Sequence, residues 1–371
     1  MDGNILAFIS LLRAGIWETG TSPKAFDNVD FGMVYKLAQE QSVVGLVAAG
    51  LEHVGNLTIP KQEAVPFMTS VINIEQRNMK MNSFIADLIN KMRNGGIQAL
   101  LVKGQGVAQC YERPLWRSAG DVDLFLDKAN YEKAVVFCSS IARRIEEEVK
   151  YSLHLGMDID GWEVELHGTM RIRFGKHVNK VLDSIQDDTF QNNNVRIWHN
   201  GGTDIYLPGA GNDVIFVFTH IIKHFFRGGI GLRQICDWCR LLWTFRGSID
   251  LSVLESRIRS LGMMTEWRAF AALAVDYLGM PNEAMPLYSP HYKWHKKAGK
   301  ILDFIFETGN FGHSRDYSYF KKYPYYIRKV ISLWRNTKDS VRHFLIFPKD
   351  SFGVWCRMVA IGLKVTATRE L

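Results

Sequence analysis

Apolar positions recur at helical spacing through the first part of the chain. Phe31, Val34, Leu37, Ala38, Val43, Val44, Leu46, Val47 and Leu51 mark the inner side of helices that run to about residue 54. Pro60 interrupts. A longer helix is expected from about Phe67 to Arg93, carried by Val71, Ile72, Phe84, Ile85, Leu88, Ile89 and Met92 and stopped by Asn94-Gly95-Gly96. Its polar residues Gln76, Arg77, Asn78 and Asn82 read as the solvated side. The period then changes. Ile97 to Val102 is a β-rich run that breaks at Lys103-Gly104, and after a polar segment with Tyr111, Pro114 and Arg117 the chain re-enters an apolar run at Asp121 and Asp123.

Beyond that run, Tyr131 to Cys138 has helical spacing, and Arg143-Arg144 followed by Glu146 to Glu148 reads as an exposed junction. Residues 149–168 give the clearest hairpin pattern, two alternating runs joined through Asp158-Ile159-Asp160-Gly161. Short strands are expected between Val195 and Leu207 around an Asn200-Gly201-Gly202 loop. Pro208-Gly209 then marks a boundary, with Asn212 or Asp213 as the cap of the next helix. Helical patterns follow at Val214 to Phe226, Leu251 to Leu261, Trp267 to Leu278 and Lys300 to Phe306. The expected class is α+β: an α/β core at residues 95–207, an N-terminal helical segment at 1–94 and a C-terminal helical domain at 208–371.

Composition narrows the partners without choosing one. With 371 residues, 47% hydrophobic and 22% charged, the chain is long enough for more than one domain and too apolar to be disordered. The formal net charge of +7 favours anionic partners, whether nucleotides, nucleic acid or a membrane surface. No basic leader opens the sequence. The apolar run from Val214 to Phe226 is broken by His220, Lys223 and His224, so no transmembrane segment is expected. Five scattered cysteines fit a reducing compartment, the cytoplasm, and Cys236 and Cys239 read as ordinary buried thiols.

Candidate chemistry centres on Asp121 and Asp123. Side chains two apart on a strand share one face, so these carboxylates lie side by side while Val122, Leu124 and Leu126 point the other way. Close like charges disfavour joint ionisation unless a cation neutralises them, and magnesium suits hard oxygen ligands. The simpler alternative is a strand end with two solvated aspartates. In the hairpin, Glu163, Glu165 and His167 share a face opposite Trp162, Val164 and Leu166, which offers a third acidic position. His154 and His167 read first as hydrogen-bonded structural histidines, with His167 the better functional candidate. His220 and His224 stand four apart on one helix face, without the glutamate of a zinc-protease helix. From residue 313 to 343, basic residues (Arg328, Arg335, Arg342) alternate with aromatics (Tyr317, Tyr323, Trp334), a pattern of solvated amphipathic helices that also fits nucleic acid or an anionic membrane.

The ordered set Lys103-Gly104, Tyr111, Pro114, Arg117 and Gly120-Asp121-Val122-Asp123 resembles the polymerase-β-like nucleotidyltransferase superfamily. It is most similar to a bacterial family of predicted nucleotidyltransferases. Glu165-Leu166-His167 matches the element that follows Asp-x-Asp in that family. Its His-x-x-Lys-His helix and the Arg and Asp of the next helix match His220, Lys223, His224, Arg233 and Asp237, around a Gly228-Gly229-Ile230-Gly231 loop. The resemblance implies a magnesium-dependent transfer of a nucleotidyl group from a nucleoside triphosphate to a hydroxyl acceptor, with pyrophosphate released. Asp121 and Asp123 would hold the metal that carries the triphosphate, and Glu165, with Glu163 in reserve, would complete a two-metal site and help deprotonate the acceptor. Lys103 and Arg117 would neutralise phosphates, Gly104, Gly120, His220, Lys223, His224, Arg233 and Asp237 would surround the nucleotide, and His167 and Tyr111 are further candidates. The turn departs from the superfamily's usual Gly-Ser or Gly-Gly, reading Gly104-Gln105. That departure motivates an alternative, a degenerate nucleotide-binding or regulatory module. A second alternative is a nucleic-acid or membrane-surface binder that works through the basic-aromatic region.

Overall fold

The computed structural model describes residues 2–22, 26, 28–55, 59–310 and 323–368. Three helices open the chain: α1 (Gly3–Trp17), α2 (Phe31–Glu40) and α3 (Val44–Glu52). Asp2 and Asp30 cap the first two, each accepting from a backbone N–H of the first turn. Helix α1 crosses α3 with almost no side chain between them, because a Cβ on Gly15 would run into the Leu46 carbonyl oxygen and one on Gly50 into that of Leu11. The long helix α4 (Lys61–Asn94) is 34 residues and starts earlier than its apolar pattern suggests. Asn78 is one correction within it. Instead of facing water it is buried, donating to the carbonyl oxygens of Leu115 (2.7 Å) and Arg117 (2.8 Å) and fixing the polar segment that precedes Asp121.

The strands are β1 (Leu100–Val102), β2 (Val122–Phe125), β3 (Arg144–Ile145), β4 (His154–Ile159) and β5 (Trp162–His167), interleaved with α5 (Gly104–Ala108) and α6 (Lys128–Ile141). They form one mixed sheet in the order β1-β2-β5-β4-β3, with β2 and β5 parallel and the other neighbours antiparallel. The hairpin turns at Asp160-Gly161 as its sequence indicates, both residues at positive φ. The expected junction at Arg143–Glu148 is exposed, but Arg144–Ile145 also adds the edge strand β3 against β4. After α7 (Lys176–Gln191), strands β6 (Val195–Asn200) and β7 (Thr203–Pro208) pair with each other and form a separate two-stranded ribbon.

The chain closes with α8 (Ala210–Phe225), α9 (Leu232–Thr244), α10 (Leu251–Leu261), α11 (Met264–Leu278), α12 (Tyr292–Thr308), α13 (Tyr325–Ile346) and α14 (Pro348–Thr368). The capping expectation for α8 fails. Gly209 is its cap position, Asn212 bonds Asp188 and Thr189, and Asp213 is buried against Arg196. Alternation along the strands divides the core into two clusters. Leu124, Val164 and Leu166 pack with Met81, Ile85 and Leu88 of α4 and with Ala134 of α6. Val102 and Phe125 belong to a larger cluster with helices α8, α9 and α11, where Phe218 meets Phe270 and Trp238 meets Trp267 edge to face. The sheet face bearing the acidic positions therefore looks toward α8.

Cys236 and Cys239 are free, buried thiols, pushed up by burial. Among the described residues no helix is long and apolar enough to cross a membrane. Much of the aromatic-basic stretch, Tyr317 included, lies outside the described residues. Within α13, Asp339, His343 and Ile346 are buried while Val330 and Trp334 are exposed.

The α1–α3 crossing makes a direct prediction. Gly50→Ala gains about 1 kcal/mol of helix propensity but forces two backbones apart, for a net destabilisation of about 2 kcal/mol in urea unfolding. Unchanged stability would show that the helices do not cross this closely.

Candidate active site

Strand β1 ends at Val102, which is paired with Asp123 of β2, and Asp123 is in register with Glu165 of β5. Three neighbouring strands thus deliver Lys103, the Asp121/Asp123 pair and Glu165 to one end of one sheet face. At Lys103 the backbone turns sharply, with φ 55 and ψ −146. That region is ordinarily left to glycine and costs about 1–3 kcal/mol. The turn aims the Lys103 ammonium back across the sheet to Asp123 Oδ1, 2.5 Å away.

Oxygens of Asp121, Asp123 and Glu165 lie within 4.8 Å of one another. Asp123 is buried and also meets His167 Nε2 at 2.7 Å, while Glu165 meets His154 Nε2 at 3.1 Å and His167 Nε2 at 3.2 Å. The charges are interdependent. The negative charge of Asp123, reinforced by burial, holds the Asp121 carboxyl above its usual range. Burial works against ionisation of Glu165, but hydrogen bonds from His154 and His167 and the Lys103 charge outweigh it and hold that carboxyl far below its usual range. Burial and the Lys103 charge oppose protonation of His167, yet its bonds to Asp123 and Glu165 prevail and raise its pKa. Lys103 is likewise buried, and its affinity for a proton is raised by Asp123, Glu165 and Asp121. Three carboxylates are balanced from within by an ammonium and an imidazole.

Two cavities share Lys103 and His220 in their linings. The narrower is lined by Gly104, Asp121, Asp123, Arg233 and Asp237. The wider, about 350 Å³, is lined by His154, His167, Tyr151, Lys223 and three arginines, Arg171, Arg173 and Arg227. His220 and His224 stack with ring centroids 4.3 Å apart. Burial pushes both down, His224 to about 3, so they serve as neutral imidazoles. Burial and the nearby Lys103 charge also lower Lys223, to about 8.

Other anticipated residues are placed differently. Arg117 and Asp237 are buried in a two-pronged ion pair, Nη2 to Oδ2 at 2.6 Å and Nε to Oδ1 at 3.1 Å, with the Tyr111 hydroxyl donating to Asp237 at 2.9 Å. Arg117 and Asp237 both line the narrower cavity while engaged with each other, and Tyr111 lines neither cavity. Glu163 points to the sheet's outer strands and pairs with Arg144 at 2.9 Å, away from Asp121 and Asp123. Gly120 lies outside the cavity linings, its carbonyl oxygen near Arg77. The glycine loop before α9 does not present the Leu232 N–H to a ligand, because the Gln41 side chain accepts from it at 3.0 Å. Arg233 donates to the Ser118 carbonyl oxygen at 2.8 Å while lining the narrower cavity. Sequence reasoning missed Arg171, Arg173 and Arg227. Their signal was available: an Arg-x-Arg alternation just after the Glu165 strand, and an arginine four residues beyond Lys223 on the same helical path.

Against protein-family models, residues 27–279 match an uncharacterised nucleotidyltransferase family. The chain belongs to that family. Comparison with curated proteins and with solved structures yields no match. As a nucleotidyltransferase, it is a transferase of phosphorus-containing groups, and the matched residues take in both sheets and helices α2 through α11.

Two predictions arise from this nucleotidyltransferase's electrostatics. Asp237→Ala strands the Arg117 charge in the interior and should cost about 3–5 kcal/mol in urea unfolding. Arg117→Met combined with Asp237→Leu should recover much of that loss, and strict additivity would argue against the pairing. For Lys223, a folded-state pKa near 8 against an ordinary 10.5 means that the folded chain binds fewer protons than the unfolded one in that window. Its contribution to stability therefore rises with pH between those values. Lys223→Met should be more stable than wild type at pH 7, with the advantage shrinking as pH rises toward 10.5. A pH-independent difference would refute the shift.

Proposed function

We propose that the protein transfers a nucleotidyl group from a nucleoside triphosphate to a hydroxyl acceptor with the help of magnesium. The observation that carries this reading is the convergence of Asp121, Asp123 and Glu165 within 4.8 Å, beside Lys103, in a chain of the nucleotidyltransferase family. The donor set fits the ion: the oxygens are hard, and the raised pKa of Asp121 reflects negative charge in excess of its local compensation. A second donor set, His154, Glu165 and His167, shares Glu165, and its imidazoles suit softer divalent ions better than magnesium.

Magnesium bound at the three carboxylates would stabilise charge on the triphosphate and on the entering and leaving oxygens. Lys103, freed from Asp123, turns its ammonium to the phosphates, and Arg233 meets them from α9. The acceptor oxygen bonds to the α-phosphorus as the bond to the β-phosphate oxygen breaks, and pyrophosphate departs with the electron pair. Glu165 would accept a hydrogen bond from the acceptor hydroxyl and orient it, and the hydroxyl proton passes to water. Arg117, Asp237 and Tyr111 keep α9 and its Arg233 in place.

The short Lys103–Asp123 contact favours a second reading. An internal ammonium beside the carboxylates is what a degenerate nucleotide-binding module would use instead of a metal. One experiment separates the two. ATP, GTP, CTP and UTP are titrated with and without magnesium into wild type and Asp121→Asn, and pyrophosphate release is followed with a panel of alcohols. Active transfer predicts magnesium-dependent binding and release that falls about a thousandfold in the variant. Metal-independent binding without release would establish the degenerate module, and wild-type release by Asp121→Asn would sink both the metal site and the mechanism.

A further inference from the structure

The wider cavity carries an imbalance of charge that the carboxylate site does not explain. Its lining contains five lysines and arginines (Lys103, Arg171, Arg173, Lys223 and Arg227) and no aspartate or glutamate. Lys103 is paired with Asp123 and Arg171 with Asp183. Among the described residues, Arg173, Lys223 and Arg227 pair with no carboxylate, and the guanidinium of Arg173 rests over the Tyr151 ring, 5.7 Å from its centroid. Three cations have been brought together without compensation. Their mutual repulsion would be eased by an anion bound among them. Hydroxyls of Tyr151, Ser152, Thr169 and Thr219 add neutral hydrogen-bonding capacity to the same walls.

The cavity's place relative to the carboxylates says which substrate it takes. In an in-line displacement the entering and leaving oxygens lie on opposite sides of the α-phosphorus. Asp121 and Arg233 line the narrower cavity, whereas the wider one begins at His154 and His167, the partners of Glu165. With the α-phosphate at the carboxylates and its leaving oxygen toward Asp121, in-line attack would bring the acceptor from the side of His154 and His167. We propose that the acceptor is a small alcohol bearing its own phosphate group, its hydroxyl directed toward Glu165 and its phosphate held by Arg173, Lys223 and Arg227. This rests on the nucleotidyl-transfer reading and adds the acceptor's class. The volume of about 350 Å³ suits a small ligand, and an amine-bearing acceptor would meet like charge on every side. Planar guanidiniums are the groups that recognise phosphate through paired N–H donors.

The test uses the full chain, loaded to saturation with a non-hydrolysable triphosphate analogue and magnesium, and titrated by calorimetry with inorganic phosphate as the probe. Wild type is compared with Arg173→Gln/Arg227→Gln. Phosphate should bind alongside the analogue, roughly tenfold or more weakly in the double variant, while affinity for the analogue stays within about twofold. In parallel, pyrophosphate release is measured with alcohols paired with their phosphate esters, such as glycerol and glycerol 3-phosphate, and any ester that serves should outperform its parent alcohol. Failure of phosphate to bind the loaded protein, or its competition with the analogue, would overturn the proposal and leave nucleotidyl transfer standing. A double variant that loses the analogue itself would assign the cavity to the nucleotide. Absence of analogue binding in wild type would instead bring down the underlying reading.

Discussion

Repulsion among Asp121, Asp123 and Glu165 is the constraint around which the sheet end is built. Strand register puts Asp123 beside Glu165, and strand alternation puts Asp121 on the same side, so the fold concentrates negative charge where it is least tolerated. The compensation is equally specific. Lys103 adopts a strained backbone to reach Asp123, and His167 bridges Asp123 and Glu165. The protein thus sets an ammonium and an imidazole against this concentration of negative charge.

Around that centre the protein separates groups that hold the architecture from groups left open to ligands. Arg117, Asp237 and Tyr111 bond to one another in the interior and tie the segment before Asp121 to α9. Asn78 of α4 fixes the same segment through the Leu115 and Arg117 carbonyl oxygens. Among the described residues, Arg173, Lys223 and Arg227 pair with no carboxylate, and they line a cavity. A buried ion pair broken on one side is costly, whereas cations left without carboxylates are a standing invitation to anions. That contrast separates the two kinds of arginine more reliably than their order along the chain.

Much of the fold was legible because it depends on local periodicity. The helices of the first third, the 149–168 hairpin, the ribbon around Asn200-Gly201-Gly202 and the mixed α+β class all follow from spacing and turn residues. Asp121, Asp123, Glu165 and His167 were legible for the same reason, since a period of two fixes which strand residues share a face. Less legible was the fate of polar residues inside helices and of short edge strands. Asn78 sits at a position whose neighbours are exposed, and only the loop lying against it decides that it is buried. Strand β3 is two residues long, too short for any alternation to register.

The sequence by itself determined the elements, the face on which the carboxylates stand, and the membership of a motif whose order resembles nucleotidyltransferases. Those are properties of neighbours along the chain. The tertiary structure alone decided which charges meet: that Arg117 belongs to Asp237, 120 residues away, that Glu163 is drawn off by Arg144, and that Arg173 and Arg227 converge on a cavity with no carboxylate among the described residues of its lining. Charge interactions act through space, so an arginine's role depends on what folding brings within a few ångströms of it.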